Sequence, residues 1–364
     1  MKYIDEFRDP AAARALVEKI RRDAGDAPVR LMEVCGTHTT SISRNGLRSL
    51  LADAVSLVSG PGCPVCVTPD GYLDAAIELG QKQNITLATF GDMLRVPGKS
   101  STLEKERASG IDVRIVYSPL DAVKLAAATP DRQIVFLGVG FETTAPTIGG
   151  AVLAASERGL KNFSVLSSVR TIPETMALLA QDPEIRVQGF LCPGHVSAII
   201  GMKPYQLLAE KCGIPCVICG FEMIDILLGI YMLLRQRNEG AARAENAYPR
   251  GVSPDGNRKA REVIEDIFEP CDTEWRGIGE IRGSGLRIRD KYAGFDAENK
   301  HGVSVVFSRT SGPCRCGDIL KGKILPADCP LFSKTCTPQE PVGPCMVSSE
   351  GTCAAYYKYG GIAQ

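Results

Sequence analysis

The chain has 364 residues, and its 42 Lys and Arg residues balance its 42 Asp and Glu residues. A chain of this length can form two or three domains, each with its own core. The balanced charge argues against electrostatic binding of nucleic acid, which requires a basic excess. The apolar run at 224–234 is too short to span a bilayer and contains Asp225. Acidic residues occupy the start, where a signal peptide needs an apolar core, so the sequence predicts a soluble, cytoplasmic protein.

The chain contains 14 cysteines, which is many for a protein of a reducing compartment. Structural disulfides are rare in that environment. The cysteines are also clustered along the chain, whereas core cysteines would be scattered. Metal binding, an iron–sulfur cluster or thiol chemistry is therefore the favoured explanation.

The first predicted element is an amphipathic helix over 10–24, with Asp9 as N-cap and Pro10 at the first helical position. After it, short β-rich runs alternate with helix-length segments such as 71–83 and 173–182. The predicted buried strands are 29–34, 54–59, 85–90, 113–118, 133–139, 163–168, 187–192 and 215–220. This alternation predicts parallel sheets covered by helices.

Two short motifs occur twice. Cys35-Gly36-Thr37-His38 has a counterpart in Cys192-Pro193-Gly194-His195, and Cys63-Pro64-Val65-Cys66 has one in Cys216-Val217-Ile218-Cys219. The matches predict an internal duplication, that is, two similar parallel-sheet α/β domains.

The amino-acid composition changes from about residue 237, where polar, turn-rich and glycine-rich segments follow one another. Little sheet structure is expected there, and a smaller cysteine-rich domain carrying an iron–sulfur cluster is predicted instead. The predicted boundaries are 1–27 for an N-terminal helix, 28–121 and 122–238 for the two α/β domains, and 239–364 for the cysteine-rich domain.

The C-terminal cysteines form the most specific pattern: Cys314, Cys316, Cys329, Cys336, Cys345 and Cys353. A cubane iron–sulfur cluster needs four thiolates from several loops, and the prolines and glycines here allow the backbone to wrap closely. A zinc ribbon normally presents two tight C-x-x-C knuckles, which this tail lacks. The pattern favours a cluster, with tetrathiolate zinc as the second possibility and buried free thiols as the third.

Cys63 and Cys66 allow three interpretations. A C-x-x-C at a strand-to-helix junction places the first thiol near a helix N-terminus, where the dipole lowers its pKa and favours a redox dithiol. The pair could instead be half of a zinc site completed by Cys216 and Cys219. It could also be two small apolar side chains in a tight turn.

Cys35 and His38 offer an exposed thiolate with a nearby imidazole. That combination suits nucleophilic catalysis or the capture of a soft metal such as iron. A capping or packed histidine is the alternative for His38, and for His195 function and packing are equally open. Glu142 and Glu222 are candidate functional carboxylates that could equally cap helices.

Several segments, in this order, resemble the HypD-type [NiFe]-hydrogenase maturation factors: MEVCGTHT, GPGCPVCVTP, FGDMLRVPG, GFETTAPT, CPGH, CGFE and MVSSEGTCAAYY. The resemblance runs from about residue 30 to the C-terminus. It implies two similar α/β domains and a third that holds a [4Fe-4S] cluster. It also implies a redox-active scaffold on which, with the chaperone HypC, an Fe(CN)2CO group is assembled. HypE would deliver the cyanide, and the hydrogenase large subunit would receive the group.

The resemblance assigns roles to individual residues. Cys35 would hold the iron, with His38 beside it, and Cys63 and Cys66 would be the redox pair. The family's cluster cysteines are separated by fourteen, six and sixteen residues, which selects Cys314, Cys329, Cys336 and Cys353. Cys316 and Cys345 are left over, and Cys316 could replace Cys314. The cysteines interpreted as structural are Cys192, Cys212, Cys216, Cys219 and Cys271.

Two other classes of protein remain as alternatives. One is a thiol-disulfide oxidoreductase that acts on protein substrates through Cys63 and Cys66. The other is a zinc-stabilised interaction protein without a redox role. The scaffold interpretation describes a metallochaperone rather than a conventional turnover enzyme.

Overall fold

The computed structural model of the chain describes residues 5–306 and 312–360, and its alternating strands and helices confirm the α/β class. The strands are β1 (Val29–Glu33), β2 (Val55–Ser59), β3 (Ile85–Thr89), β4 (Val113–Ile115), β5 (Gln133–Gly140), β6 (Phe163–Arg170), β7 (Gly189–Pro193), β8 (Cys216–Cys219), β9 (Ala244–Asn246), β10 (Phe268–Trp275) and β11 (Gly279–Ile288). The α-helices are α1 (Pro10–Ala24), α2 (Gly36–Arg44), α3 (Leu47–Leu50), α4 (Asp70–Gln81), α5 (Leu103–Ala108), α6 (Pro119–Ala128), α7 (Ala145–Glu157), α8 (Ile172–Gln181), α9 (Gly194–Ile200), α10 (Lys203–Cys212), α11 (Met223–Asn238), α12 (Arg258–Ile267), α13 (Ala297–His301), α14 (Cys316–Leu320) and α15 (Thr352–Tyr359). Short 3₁₀ helices cover Asp5–Phe7, Gly91–Arg95, Asp290–Phe295, Pro326–Asp328 and Pro344–Met346.

The N-terminal helix begins and ends where the sequence predicts. Asp9 is its N-cap and accepts a hydrogen bond from the Ala11 amide at 2.8 Å, and Pro10 is the first helical residue. Its buried face, which includes Ile20, packs against α11. Residues 1–4 of the predicted segment 1–27 lie outside the described residues.

The described strands form two sheets. The first has the order β2-β1-β7-β8-β9 and is parallel throughout. The second has the order β10-β11-β6-β5-β3-β4 and is mixed, because the β10–β11 hairpin joins β6 in antiparallel orientation. In the first sheet, β1 lies between β2 and β7, with Leu31 paired to Leu57 on one side and to Gly189 on the other.

Each sheet takes strands from both segments that the sequence predicts as separate domains. The first sheet places β1 and β2 of segment 28–121 beside β7 and β8 of segment 122–238. The second sheet likewise places β3 and β4 beside β5 and β6. The sheets therefore interleave along the chain, and the domain boundaries and the duplication stay predictions.

The expectation of little sheet structure after residue 237 is wrong. β9 extends the first sheet, and the hairpin formed by β10 and β11 extends the second. β10 contains Pro270, and its middle positions alternate between half-buried and exposed. Its sequence therefore lacks the apolar pattern of a core strand. It lies at the edge of its sheet, where proline is tolerated because the outer backbone groups have no strand partner.

The two faces of the first sheet pack against different layers. One face packs against α1 and α11. The other shares a core with the C-terminal segment 312–360, in which Leu320 and Met346 pack in the same cluster as Met32 and Val58. The cysteine-rich tail is thus built onto the sheet rather than around a core of its own.

The apolar run at 224–234 forms most of α11, which lies against the first sheet. Within 5–306 and 312–360, no helix is both long and apolar enough to cross a membrane.

Candidate functional site

The segments that carry the predicted site residues meet at one edge of the first sheet. Four neighbouring parallel strands, β2, β1, β7 and β8, end there, and the predicted motifs begin where they end. The chain leaves β1 towards β2 on one side, while β7 lies on the other side. A crevice of this kind, at a topological switch point, is where open parallel sheets bind ligands.

The Cys35 loop and the Cys63 loop pack backbone against backbone. The Gly36 amide donates to the Gly62 carbonyl at 3.0 Å, and the Gly60 amide donates to the Glu33 carbonyl at 2.7 Å. A Cβ atom at Gly62 would lie 2.1 Å from the Cys35 nitrogen. Only glycine fits at this position, so Gly62 holds the loop that contains Cys63 against the Cys35 backbone.

Cys35 is buried, with 6% of its surface exposed, which contradicts the expectation of an exposed thiol. It is the N-cap residue of α2. Burial raises the pKa of the Cys35 thiol to about 12, and the facing amides of His38 and Thr37 offset only part of this effect. The thiol is protonated at neutral pH, and a metal ion would have to displace that proton.

A buried carboxyl group supports the Cys35 backbone. Glu33 Oε2 accepts from the Cys35 amide at 3.1 Å, Oε1 accepts from the Thr39 hydroxyl, and Arg48 Nη2 lies 3.7 Å from Oε1. Burial raises the pKa of Glu33 to about 7, although Arg48 lowers it. Sequence reasoning did not assign Glu33; the available signal was a carboxylate at the end of a strand predicted to be buried.

His38 is fully buried, and one of its two ring nitrogens has no hydrogen-bond partner among the described residues. Its Nε2 lies 2.9 Å from the Gly220 carbonyl oxygen and therefore donates to it. Its Nδ1 is buried and has no partner in the described part of the chain. Burial lowers the pKa of His38 to about 4, so the ring is neutral at pH 7 and Nδ1 carries a lone pair.

The two C-x-x-H motifs meet in space because β1 and β7 are neighbours. The Phe221 ring lies 5.1 Å from the His38 ring and stacks on the His195 ring at 4.0 Å. The structure thus brings His195 into the same site. The Phe221 ring contacts both imidazole rings, and sequence reasoning did not assign it a role.

The C-terminal segment covers this site. Thr37 Oγ1 donates to Glu350 Oε1 at 2.8 Å, and Thr40 Oγ1 donates to the Ser349 carbonyl at 3.2 Å. A Cβ atom at Gly36 would lie 2.5 Å from Glu350 Cβ. Gly36 therefore permits the close approach of the tail to Cys35.

Cys63 and Cys66 lie in the loop between β2 and α4 and are 4% and 0% exposed. The helix begins only at Asp70, beyond the reach of the terminal dipole. Burial raises the pKa of the Cys66 thiol well above its ordinary value. The expectation that the first thiol, Cys63, lies near a helix N-terminus is therefore wrong.

Cys216 and Cys219 do not form a second knuckle. They lie three residues apart within β8, so their side chains point to opposite faces of the sheet. Cys216 belongs to the core beneath the C-terminal tail, and Cys219 belongs to the core beneath α1 and α11.

The six C-terminal cysteines surround one small cavity: Cys314, Cys316, Cys329, Cys336, Cys345 and Cys353. A Cβ atom at Gly343 would lie 2.6 Å from Cys314 Sγ, so any other residue here would displace that thiol. The Val342 amide donates to Cys336 Sγ at 3.4 Å, and hydrogen bonds of this kind stabilise thiolate ligands of iron–sulfur clusters. In the described residues no group of three or more His, Cys, Asp or Glu side chains is arranged as a ready metal site. The donor chemistry and the glycine-lined wall nevertheless fit a thiolate-held cluster.

The dithiol loop contacts one of the cysteines that line this cavity. The thiol of Cys66 faces the thiol of Cys345, and Cys66 Sγ lies 3.9 Å from the Pro344 carbonyl oxygen. Cys345 in turn faces Cys316 and Cys353. Sequence reasoning left Cys345 without a role, and the structure places it between the dithiol and the cavity.

The remaining candidate carboxylates lie in different environments. Glu222 is the N-cap residue of α11, and both oxygens of its carboxylate accept from Arg8 at 2.6 Å. Glu142 is buried at the edge of the second sheet, away from this site.

A family model described as "HypD: Hydrogenase formation hypA family" matches residues 11–360. The chain belongs to the HypD family. It is 46% identical to the "Hydrogenase maturation factor HypD" of Rhodobacter capsulatus, over 99% of each chain. It is 42% identical to the protein of the same name from Escherichia coli K12, over 99% of this chain and 98% of that one. It is also 42% identical to a "Putative hydrogenase expression/formation protein" of Methanocaldococcus jannaschii, over 97% of this chain and 98% of that one.

Proposed function

We propose that this chain is a hydrogenase maturation factor that serves, together with a HypC-type chaperone, as the scaffold for assembly of an Fe(CN)2CO group. Membership of the HypD family and the full-length similarity to named maturation factors support the general role. The proposal that the chain is the assembly scaffold rests on one observation. The Cys35 loop packs on the Cys63 loop, with Gly62 against the Cys35 backbone.

Cys35 is the residue proposed to hold the iron, which is the cargo of the reaction. A thiolate is a suitable ligand for iron that carries cyanide and carbon monoxide. The HypC-type chaperone would supply a second thiolate. Glu33 and Gly62 fix the backbone of Cys35, and the neutral ring of His38, three residues further on, has no partner at Nδ1 in the described residues.

Cys314, Cys329, Cys336 and Cys353 are proposed to hold a [4Fe-4S] cluster, with Cys316 as a possible replacement for Cys314. When bound, such a cluster supplies electrons one at a time. The chain shapes the site through Gly343, which leaves room beside Cys314, and through the Val342 amide, which donates to Cys336.

Cys63 and Cys66 are proposed to be a redox dithiol. Their burial shields them from exchange with thiols and disulfides in solution. The contact of Cys66 with Cys345 brings the dithiol to the wall of the cysteine cavity. The burial argues against the alternative of an oxidoreductase that turns over on protein substrates, because such an enzyme exposes its attacking sulfur.

The proposed partners follow from the same role. A HypE-type protein would deliver cyanide, and the hydrogenase large subunit would receive the iron group through the HypC-type chaperone. The chain would act in the cytoplasm as an assembly scaffold rather than as a conventional turnover enzyme.

Infrared spectroscopy of the chain, co-purified anaerobically with a HypC-type chaperone, tests this proposal. Bands of iron-bound cyanide and carbon monoxide are expected for the unmodified chain and for Cys212→Ala, which changes a half-buried cysteine of α10. The bands should be absent from Cys35→Ala. Their persistence in Cys35→Ala would contradict the assignment of the iron ligand, and full assembly without the four cluster cysteines would contradict the redox role.

A further inference from the structure

Residues 345–351 of the C-terminal segment form a compact turn, the tail turn. Its two ends touch, because a Cβ atom at Gly351 would lie 2.2 Å from the Cys345 carbonyl oxygen. Within the turn, the Gly351 amide donates to the Ser348 carbonyl at 2.9 Å. At its start, the Val347 amide donates to the Pro344 carbonyl at 3.0 Å. A turn closed in this way has little freedom to change shape, so it moves together with Cys345.

The inner side of the tail turn belongs to the cysteine cavity. Cys345 and Met346 line that cavity, and each is 1% exposed. After Gly351 the chain enters α15, whose second residue, Cys353, lines the same cavity. The tail turn is therefore anchored on the cavity at both of its ends.

The outer side of the tail turn lies on the first turns of α2, the helix that Cys35 caps. Glu350 Oε1 accepts from Thr37 Oγ1 at 2.8 Å, and the Ser349 carbonyl accepts from Thr40 Oγ1 at 3.2 Å. Ser349 and Glu350 are exposed to solvent. Water can replace hydrogen bonds at such a surface, so this contact opens at a small cost in free energy.

Cys35 is enclosed between this contact and the end of the first sheet. It is 6% exposed, and a Cβ atom at Gly36 would lie 2.5 Å from Glu350 Cβ. On the sheet side, Glu33 is fully buried and accepts from the Cys35 amide. Moving Glu33 would open the core, whereas lifting Ser349 and Glu350 would break two surface hydrogen bonds. The tail turn is thus the part of the enclosure that opens most easily.

We propose that the tail turn is a cover over Cys35, latched by the hydrogen bond between Glu350 and Thr37 and held closed when the cysteine cavity is filled. Filling the cavity fixes Cys353 and, through it, the end of the tail turn, so it favours the latched position. The latch depends on the chain alone, whereas the coupling to the cavity rests on the proposed cluster. The cover protects the Cys35 thiol until a partner protein that brings a second thiolate displaces it.

Alkylation of the full chain with iodoacetamide, followed by mass spectrometry of the Cys35 peptide, tests the latch. Glu350→Ala should speed Cys35 labelling by about fivefold, the effect of one surface hydrogen bond, because labelling follows the population of the open state. Glu350→Gln keeps an acceptor for Thr37 and should label at close to the unmodified rate, which separates the hydrogen bond from the charge. Glu340→Ala changes an exposed glutamate of the same segment outside the tail turn and is the matched control.

Thr37→Val removes the donor of the latch without changing any charge, and it should speed Cys35 labelling as Glu350→Ala does. Unchanged labelling in both variants would overturn the latch.

Anaerobic loading with iron and sulfide, with the excess removed, tests the coupling. Loading should slow Cys35 labelling in the unmodified chain and leave it fast in Glu350→Ala, whereas iron bound to Cys35 itself would protect both chains equally. Equal protection of both chains, no protection of either, or a chain that takes up no iron and sulfide would overturn the coupling. None of these readouts requires assembly of the Fe(CN)2CO group, so failure of the proposed scaffold function would leave them unchanged.

Discussion

The thiol of Cys66 faces the thiol of Cys345, at the point where the loop after β2 meets the C-terminal tail. The contact joins two motifs that the sequence keeps far apart. It means that the dithiol lies directly behind Cys345, which lines the cysteine cavity, and is not a separate exposed site. The tail also reaches Cys35 through Gly36 and Glu350, so all three cysteine groups belong to one buried assembly.

Gly343→Ala should reduce the iron and sulfide bound by the chain. The added Cβ would lie 2.6 Å from Cys314 Sγ and would displace that thiol from the cavity. Gly312→Ala in the same tail is the matched control, because its Cβ meets nothing within 4 Å. Equal iron and sulfide contents in the two variants would contradict the role of Gly343.

Gly62→Ala should lower the free energy of unfolding by about 3 kcal/mol or more, because its Cβ collides with the Cys35 backbone, which cannot move as a side chain can. Gly150→Ala serves as control: it lies within α7, meets nothing within 4 Å, and should stabilise the chain by about 1 kcal/mol. Denaturant unfolding measures both values. A neutral effect of Gly62→Ala would show that the two loops are not held as described.

Arg276→Met should destabilise the chain by about 3–5 kcal/mol, because it leaves the carboxylate of Asp70 without its buried partner at 2.6 Å. Arg258→Met breaks an exposed pair with Glu262 at 2.7 Å and should cost less than about 1 kcal/mol. Urea unfolding of the two variants gives the comparison. Asp70→Asn combined with Arg276→Met should recover part of the loss, and strict additivity would contradict a direct coupling.

Stability should depend on pH through Glu142. Burial raises its pKa from 4.5 to about 8 in the folded chain, so between these values the folded state holds a proton that the unfolded state has lost. Folding stability is therefore greatest below pH 4.5 for this group and falls as pH rises to about 8, by roughly 1.4 kcal/mol per pH unit at most. Glu142→Gln should remove this slope. Unfolding free energies of both chains at several pH values between 5 and 9 check it, and parallel profiles would contradict the assignment.

The strands β1 to β8 were predictable from the sequence, whereas β9 to β11 and the pairing of the strands were not. The apolar runs at β1, β2, β3 and β5 and the Asp9-Pro10 start of α1 are local signals. The order of strands depends on contacts between distant segments, such as Leu31 with Gly189, for which periodicity carries no information. The β10–β11 hairpin was missed because Pro270 and its polar neighbours mark an edge strand only once the sheet is known.

The candidate site was predictable in its residue types but not in its environment. The motifs identified Cys35, His38 and the C-x-x-C pair, and the C-terminal spacing indicated a thiolate cavity. Burial was not predictable, because it is the tail with Glu350 that covers Cys35, and this burial raises the pKa of the Cys35 thiol. The role of Cys345 depends likewise on a contact between distant parts of the chain.

The content of iron, acid-labile sulfide and zinc in anaerobically purified chain, with its visible spectrum, tests the central claim most directly. The account predicts about four irons and four sulfides per chain and a brown charge-transfer absorption. Zinc without sulfide would contradict the cluster and would favour a zinc-stabilised interaction protein.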